Sequence, residues 1–194
     1  MTIDWLADVL RAEGLTVIEE GDWRARGAGG EFAPIGVLWH HTASVSGAAD
    51  PAPALRAVVD GSDCHALVDY HGTFHLVSAN RVQHAGHCGG SGPIPAGDGD
   101  AMLIGWRIDY QGETQAMTVA QYTASVVGTA AVLRRLGRDP EFARGHRETG
   151  IRSEPDPGLV DLDRMRADVA AALAGRSATP SSASGARRTA RSGR

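Results

Sequence analysis

Short apolar runs bounded by glycine, alternating with amphipathic helical stretches, constrain this chain more than any other feature. Ile35-Gly-Val-Leu-Trp-His40 is short, apolar and β-branched at its start, so it reads as a buried strand. His65 to Tyr70 and Thr73 to Val77 are two alternating runs joined by His71-Gly72, the pattern of a hairpin. Thr16 to Glu19 and Met102 to Tyr110 read as further strands. Helical spacing appears over residues 3–13, 54–59, 118–136 and 161–174. Thr118 with Gln121 three residues later predicts a capping box, and Gly137 predicts the stop. With a short strand before the last helix, this order predicts an α/β fold with a single mixed central β-sheet flanked by helices.

The 25 glycines and nine prolines place much of the chain in loops, and residues 21–34 and 86–100 are the longest of these. All 19 basic residues are arginine, which excludes chemistry that needs a lysine amine. Five of them lie in residues 175–194 with no acid, so a chain of net charge −4 divides into an acidic part of −9 and a basic tail. The expected organisation is one domain over residues 1–174 and a disordered Ser/Ala/Gly/Arg tail over 175–194. An acidic domain argues against nucleic-acid binding. No apolar run approaches the ~18 residues of a membrane span, so no membrane insertion is expected. Cys64 and Cys88 are expected to be free buried thiols. The opening Met1-Thr-Ile-Asp-Trp-Leu-Ala-Asp has no basic stretch followed by an apolar core, so synthesis in a cytoplasm without a secretory signal is expected. A monomer is the default expectation.

Eight histidines carry the chemical signal because they are unevenly placed. His40 and His41 end a buried strand, His146 sits in Arg144-Gly-His-Arg-Glu148, and Asp156 follows in Glu154-Pro-Asp-Pro-Gly158. Two imidazoles and one carboxylate, with a fourth position left for water, make a catalytic zinc site. Each of these residues alone is equally at home as a structural histidine or a turn aspartate, and no compact zinc motif accompanies them. His71, His75 and His87 read as surface or loop residues.

Leu38-Trp-His-His-Thr-Ala43, Cys64-His65, Gln83-His-Ala-Gly86, Ile104-Gly-Trp-Arg-Ile-Asp109 and Gly145-His-Arg-Glu148 with Asp156-Pro157 occur in that order. In this the chain resembles the type-2 N-acetylmuramoyl-L-alanine amidase family, which includes phage endolysins and is similar to the peptidoglycan recognition proteins. The resemblance spans about residues 1–174. It implies Zn2+ held by His40, His146 and Asp156, and a reaction that cleaves the amide between the muramic acid lactyl group and L-alanine of bacterial peptidoglycan. It also implies a cleft that takes in His84 and His65, and it suggests a phage or prophage lysin that reaches the wall after release. Asp109 and Trp39 are further candidates for lining that cleft.

The chain departs from the family pattern at two charged positions. Arg107 stands where the family carries a glutamate, and Glu154 where it carries a lysine two residues before the last ligand. Arginine stays protonated and cannot act as a base. The exchange therefore predicts Glu154 as general base and Arg107 as the stabiliser of the tetrahedral oxyanion, facing each other across the metal. The competing expectations are a catalytically impaired wall-binding module of the same fold and a zinc peptidase of the stem peptide. The tail is expected to contact anionic wall polymers through charge.

Overall fold

The computed structural model describes residues 1–152 and 155–175. The expectation of a disordered basic tail falls outside these residues, apart from Gly175. In chain order the elements are α1 (Leu6–Ala12), β1 (Val17–Glu19), β2 (Gly36–His41), α2 (Leu55–Gly61), β3 (Ala66–Val68), β4 (Phe74–Leu76), β5 (His87–Cys88), β6 (Gly97–Asp98), α3 (Gly99–Met102), β7 (Leu103–Ile108), α4 (Val119–Leu136), β8 (Ala143–Gly145), α5 (His146–Thr149) and α6 (Leu162–Leu173), with a 3-10 turn at Pro140–Phe142 before β8. Six strands form one sheet in the order β1-β4-β3-β7-β2-β8. The β3–β4 hairpin is antiparallel and every other neighbouring pair is parallel, so the sheet is mixed.

Side chains alternate across each strand, and the two faces bury different things. Val37 and Trp39 of β2 share one face with Ile104, Trp106 and Ile108 of β7. That face is covered by α1, α4 and α6 through Leu6, Leu10, Val126, Leu133, Met165 and Val169. The opposite face carries Leu38 and Leu103 against Ala85, Cys88 and Ile94, and Leu67 against Val58 of α2. His40 and Arg107, in register on β2 and β7, lie on this second face. The central strands are therefore buried on both sides, which is why Ile35–His40 shows no polar alternation.

Helix α4 starts as its sequence predicts. The Thr118 hydroxyl accepts the Gln121 N–H at 3.0 Å, and the Gln121 side chain accepts the Thr118 N–H at 3.0 Å. It ends at Gly137, whose φ of 65° is the left-handed conformation that favours glycine. The Thr118 hydroxyl also donates to the Tyr70 carbonyl at 2.9 Å, tying the helix start to the hairpin turn.

Two sequence expectations change. The stretch 86–100 is not all loop: it holds the two-stranded ribbon β5–β6 and the start of α3, elements too short to leave a periodicity. His75 is buried rather than superficial, with Nδ1 2.8 Å from Glu20 Oε1 and Nε2 3.4 Å from Asp69 Oδ2. As expected of a sheet flanked by helices, α1, α4 and α6 pack on one face and α2 on the other. Cys64 and Cys88 are free and buried. Among the described residues no helix is long and apolar enough to cross a membrane.

Replacing Thr118 with alanine removes both the helix cap and the tie to Tyr70. The expected loss is about 1 kcal/mol of unfolding free energy, read as a lower urea midpoint at an unchanged denaturant slope; an unaltered midpoint would contradict the capping role.

Candidate functional site

Strand register builds the site. Trp39 of β2 pairs with Gly145 of β8, so the residues that follow, His40 and His146, emerge side by side at the carboxyl ends of neighbouring parallel strands. Their ring centroids are 4.7 Å apart. His146 is also the first residue of α5, whose start is fixed by Glu148: one carboxylate oxygen accepts the Gly145 N–H at 2.8 Å and a guanidinium N–H of Arg166 at 2.8 Å. The strand end is thereby tied to α6.

Asp156 arrives from the loop between α5 and α6, which is fastened over residues 156–160. The Arg147 N–H donates to the Asp156 carbonyl at 2.6 Å. The Arg147 guanidinium donates to the carbonyls of Pro157 and Val160, the latter at 2.7 Å. The Tyr110 hydroxyl donates to the Gly158 carbonyl at 2.7 Å, and His41 Nδ1 accepts the Gly158 N–H at 3.2 Å. His41 thus holds the loop and does not join the cluster.

These placements bring His40, His146 and Asp156 together, with one donor atom from each lying within 4.8 Å of the others. His40 Nδ1 is 2.9 Å from Asp156 Oδ2, and His146 Nδ1 is 2.9 Å from Asp156 Oδ1. Tetrahedral zinc ligands stand about 3.3 Å apart, so the spacing needs only a small expansion to fit that ion. Burial pushes His40 down to about 4, with Asp156 opposing part of the shift, so the ring is neutral at pH 7. Burial pushes Asp156 up, but hydrogen bonds from His146 and His40 outweigh it and hold the carboxylate below its ordinary range. At neutral pH a carboxylate therefore faces a neutral imidazole. His40 Nε2 lies 3.1 Å from His84 Nδ1, and His84 Nε2 lies 3.1 Å from the Leu103 carbonyl. A carbonyl only accepts, so His84 Nε2 carries the hydrogen of that contact and His84 Nδ1 faces His40 as an acceptor. Two imidazoles and a carboxylate also match the donors zinc takes in catalytic sites.

A cleft of about 320 Å³ opens over the cluster, lined by His40, His41, Thr42, Ala43, His84, Arg107, His146, Pro155 and Asp156. A second hollow of about 280 Å³ adjoins it through His146 and runs past Ala85, His87, Ile151 and Arg152. Arg107 reaches the cleft wall and is partnered there by Asp63, Nη2 to Oδ2 at 3.1 Å. Burial pushes the Asp63 carboxyl up, and Arg107 offsets part of that. Glu154, the expected base, lies outside the described residues.

Three other candidates lie away from the cleft. Trp39 is fully buried beneath α4, with Nε1 donating to Thr129 Oγ1 at 3.0 Å, because strand alternation turns it opposite to His40. His65 is fully buried, stacked on Phe32 with ring centroids 4.9 Å apart, its Nδ1 accepting the Gly105 N–H at 2.9 Å. Asp109 is fully buried as well and tethers the loop after β2, taking the Thr42 hydroxyl at 2.5 Å and the Ala54 N–H at 3.2 Å. His84 touches the cleft, but both its nitrogens are engaged inside the protein. Sequence reasoning did not single out Arg147 or Asp63. Arg147 sits inside a motif already in view, and Asp63 lies 44 residues from its partner.

Acid should weaken the metal-stripped protein. Burial pushes His65 down to about 3 and His84 well below its ordinary value, as it does His40. The unfolded chain protonates these rings near 6.5, whereas the folded chain takes those protons only at far lower pH. The unfolded state therefore binds more protons as pH falls from about 7 toward 4, and stability declines across that window. Asp156 adds a loss of the same sign only below the ordinary carboxylate range. The urea midpoint is expected to fall between pH 7 and pH 5; an equal or higher midpoint at pH 5 would show that these rings are not held neutral.

The family model for N-acetylmuramoyl-L-alanine amidase matches residues 31–159. Comparison with curated proteins by sequence returned no match. Among solved structures, the N-acetylmuramoyl-L-alanine amidase LysC from Clostridium intestinale superposes with a TM-score of 0.56 at 15% identity, over 79% of this chain and 97% of that one. A mutant endolysin from Bacillus subtilis gives 0.59 at 17% identity, over 80% and 99%. A Drosophila PGRP-LB mutant in complex with tracheal cytotoxin gives 0.56 at 17%, over 77% and 92%. At these identities the likeness establishes a shared fold, and the family match covers most of the chain, including every residue of the His–His–Asp cluster: the chain belongs to the N-acetylmuramoyl-L-alanine amidase family.

Proposed function

We propose that the protein is a zinc-dependent N-acetylmuramoyl-L-alanine amidase that cuts the bond between the muramic acid lactyl group and L-alanine of bacterial peptidoglycan, as a phage or prophage lysin. The observation that carries this reading is the convergence of His40 Nδ1, His146 Nδ1 and the Asp156 carboxylate at the base of an open cleft. Zinc supplies Lewis acidity, activating water at neutral pH and polarising an amide carbonyl. His40, His146 and Asp156 would hold the ion, two from rigid strand ends and one from the fastened loop.

The chain's own charges then act on the substrate. Arg107, on the cleft wall and steadied by Asp63, is placed to donate N–H groups to an oxyanion developing on the scissile carbonyl. A guanidinium cannot accept the proton of the attacking water. Glu154, two residues before Asp156, is the carboxylate assigned to that transfer and to the return of the proton to the leaving amine. The hollow beyond His146 extends the cleft in a direction that suits an extended stem peptide. The protein would act as a monomer on the wall after release from the cell that makes it, with the arginines of residues 176–194 drawn to anionic wall polymers.

Arginine at the strand position where the family carries glutamate favours one second reading, a module that binds wall fragments without cutting them. Wall digestion separates the two. Chelation is expected to abolish hydrolysis and zinc to restore it, with mass analysis of the products showing cleavage at the lactyl–L-alanine amide; digestion that survives complete removal of zinc would refute the mechanism. Arg107→Ala should lower kcat about 10²–10³-fold with zinc content unchanged. Glu154→Gln should have a similar effect. Unchanged hydrolysis in both variants would end the Arg107–Glu154 assignment.

A further inference from the structure

We propose that His84 is a positioning residue that orients His40 for metal binding, accepting the His40 Nε2–H and so presenting the Nδ1 lone pair to the space between Asp156 and His146. The inference deepens the zinc reading and rests on it. Its logic is a chain of donors and acceptors with one fixed end. The Leu103 carbonyl cannot donate, so the His84 nitrogen 3.1 Å away carries hydrogen. A neutral imidazole has one N–H, which leaves His84 Nδ1 as an acceptor. That acceptor lies 3.1 Å from His40 Nε2, placed to take its hydrogen when Nδ1 serves as the ligand atom. Metal-ligating histidines commonly donate their other N–H to a carbonyl, carboxylate or water. In this chain the acceptor is a second ring, grounded on the main chain at the first residue of β7.

His84 is held well enough to impose this order. Asp100 Oδ1 accepts three successive backbone N–H groups, from His84 at 2.8 Å, Ala85 at 2.7 Å and Gly86 at 3.0 Å. Asp100 is itself buried beside Arg81, Nη2 to Oδ2 at 3.8 Å. Gly105 leaves room for the His84 ring on β7, where any Cβ would overlap Nδ1. The His65 ring meets His84 edge to face at 5.5 Å, and Phe32 stacks behind His65. Ring, backbone and strand floor all constrain His84. Its nitrogens have no capacity left for a sugar or peptide, so its place at the cleft edge is explained without a substrate contact.

The test measures zinc affinity of the full chain by competition with a chromophoric chelator, alongside steady-state hydrolysis of wall fragments. His84→Leu removes the acceptor while retaining bulk. His84→Asn returns an amide oxygen close to the position of Nδ1. The leucine variant is expected to bind zinc 10–100-fold more weakly, and the asparagine variant to recover most of that loss. Zinc affinity of His84→Leu within twofold of the parent would overturn the proposal, as would equal losses in both variants, which would assign the effect to packing. A raised KM with unchanged zinc affinity would assign His84 to substrate instead. A parent that takes up no zinc would refute the zinc reading itself, and the parental measurement reports that outcome separately from the variants.

Discussion

The parallel pairing of β2 with β8 is the constraint on which the site depends. It sets consecutive strand ends side by side, so that the pairing of Trp39 with Gly145 makes neighbours of His40 and His146, which are 106 positions apart in the chain. A slip of one residue would turn His40 into the helix-covered core and Trp39 toward solvent. The large apolar ring at position 39, seated under α4 and bonded to Thr129, opposes that slip. Core packing on one side of the sheet thus fixes chemistry on the other.

The same division explains what the sequence could and could not disclose. Helix α4 was legible to within a residue because its signals, the Thr118–Gln121 box and Gly137, are local. The hairpin and β2 were legible for the same reason. The position of β8 beside β2 was not, because three residues carry no period and nothing local to them names a neighbour. Of the candidate site residues, His40, His146 and Asp156 converge, and Arg107 faces the same cleft. Trp39 lies beneath α4, on the face that strand alternation turns away from His40. The burial of His65 and Asp109 depends on Phe32, Thr42 and Ala54, none of which is adjacent in sequence. The Arg107–Asp63 pair joins residues on either side of the hairpin, beyond the reach of any local pattern.

Electrostatically the site is sparse. One carboxylate, four imidazoles and one guanidinium face the cleft among the described residues, and the guanidinium already has a carboxylate partner. Burial of His40, His65 and His84 as neutral rings keeps further positive charge away from the cluster, which favours entry of a divalent cation. Arginine where the family carries glutamate therefore alters the balance of the cleft more than a comparable exchange on the surface would, since few other charges are near enough to screen it.

The fastening of the loop that bears Asp156 has one more consequence. Arg147, Tyr110 and His41 grip that segment through carbonyls and an amide, with no contribution from the ligand atoms themselves. The approach of Asp156 to His40 and His146 is accordingly a property of the folded polypeptide. Uptake of the proposed zinc would then trade a hydration shell for waiting donors, without coupled refolding.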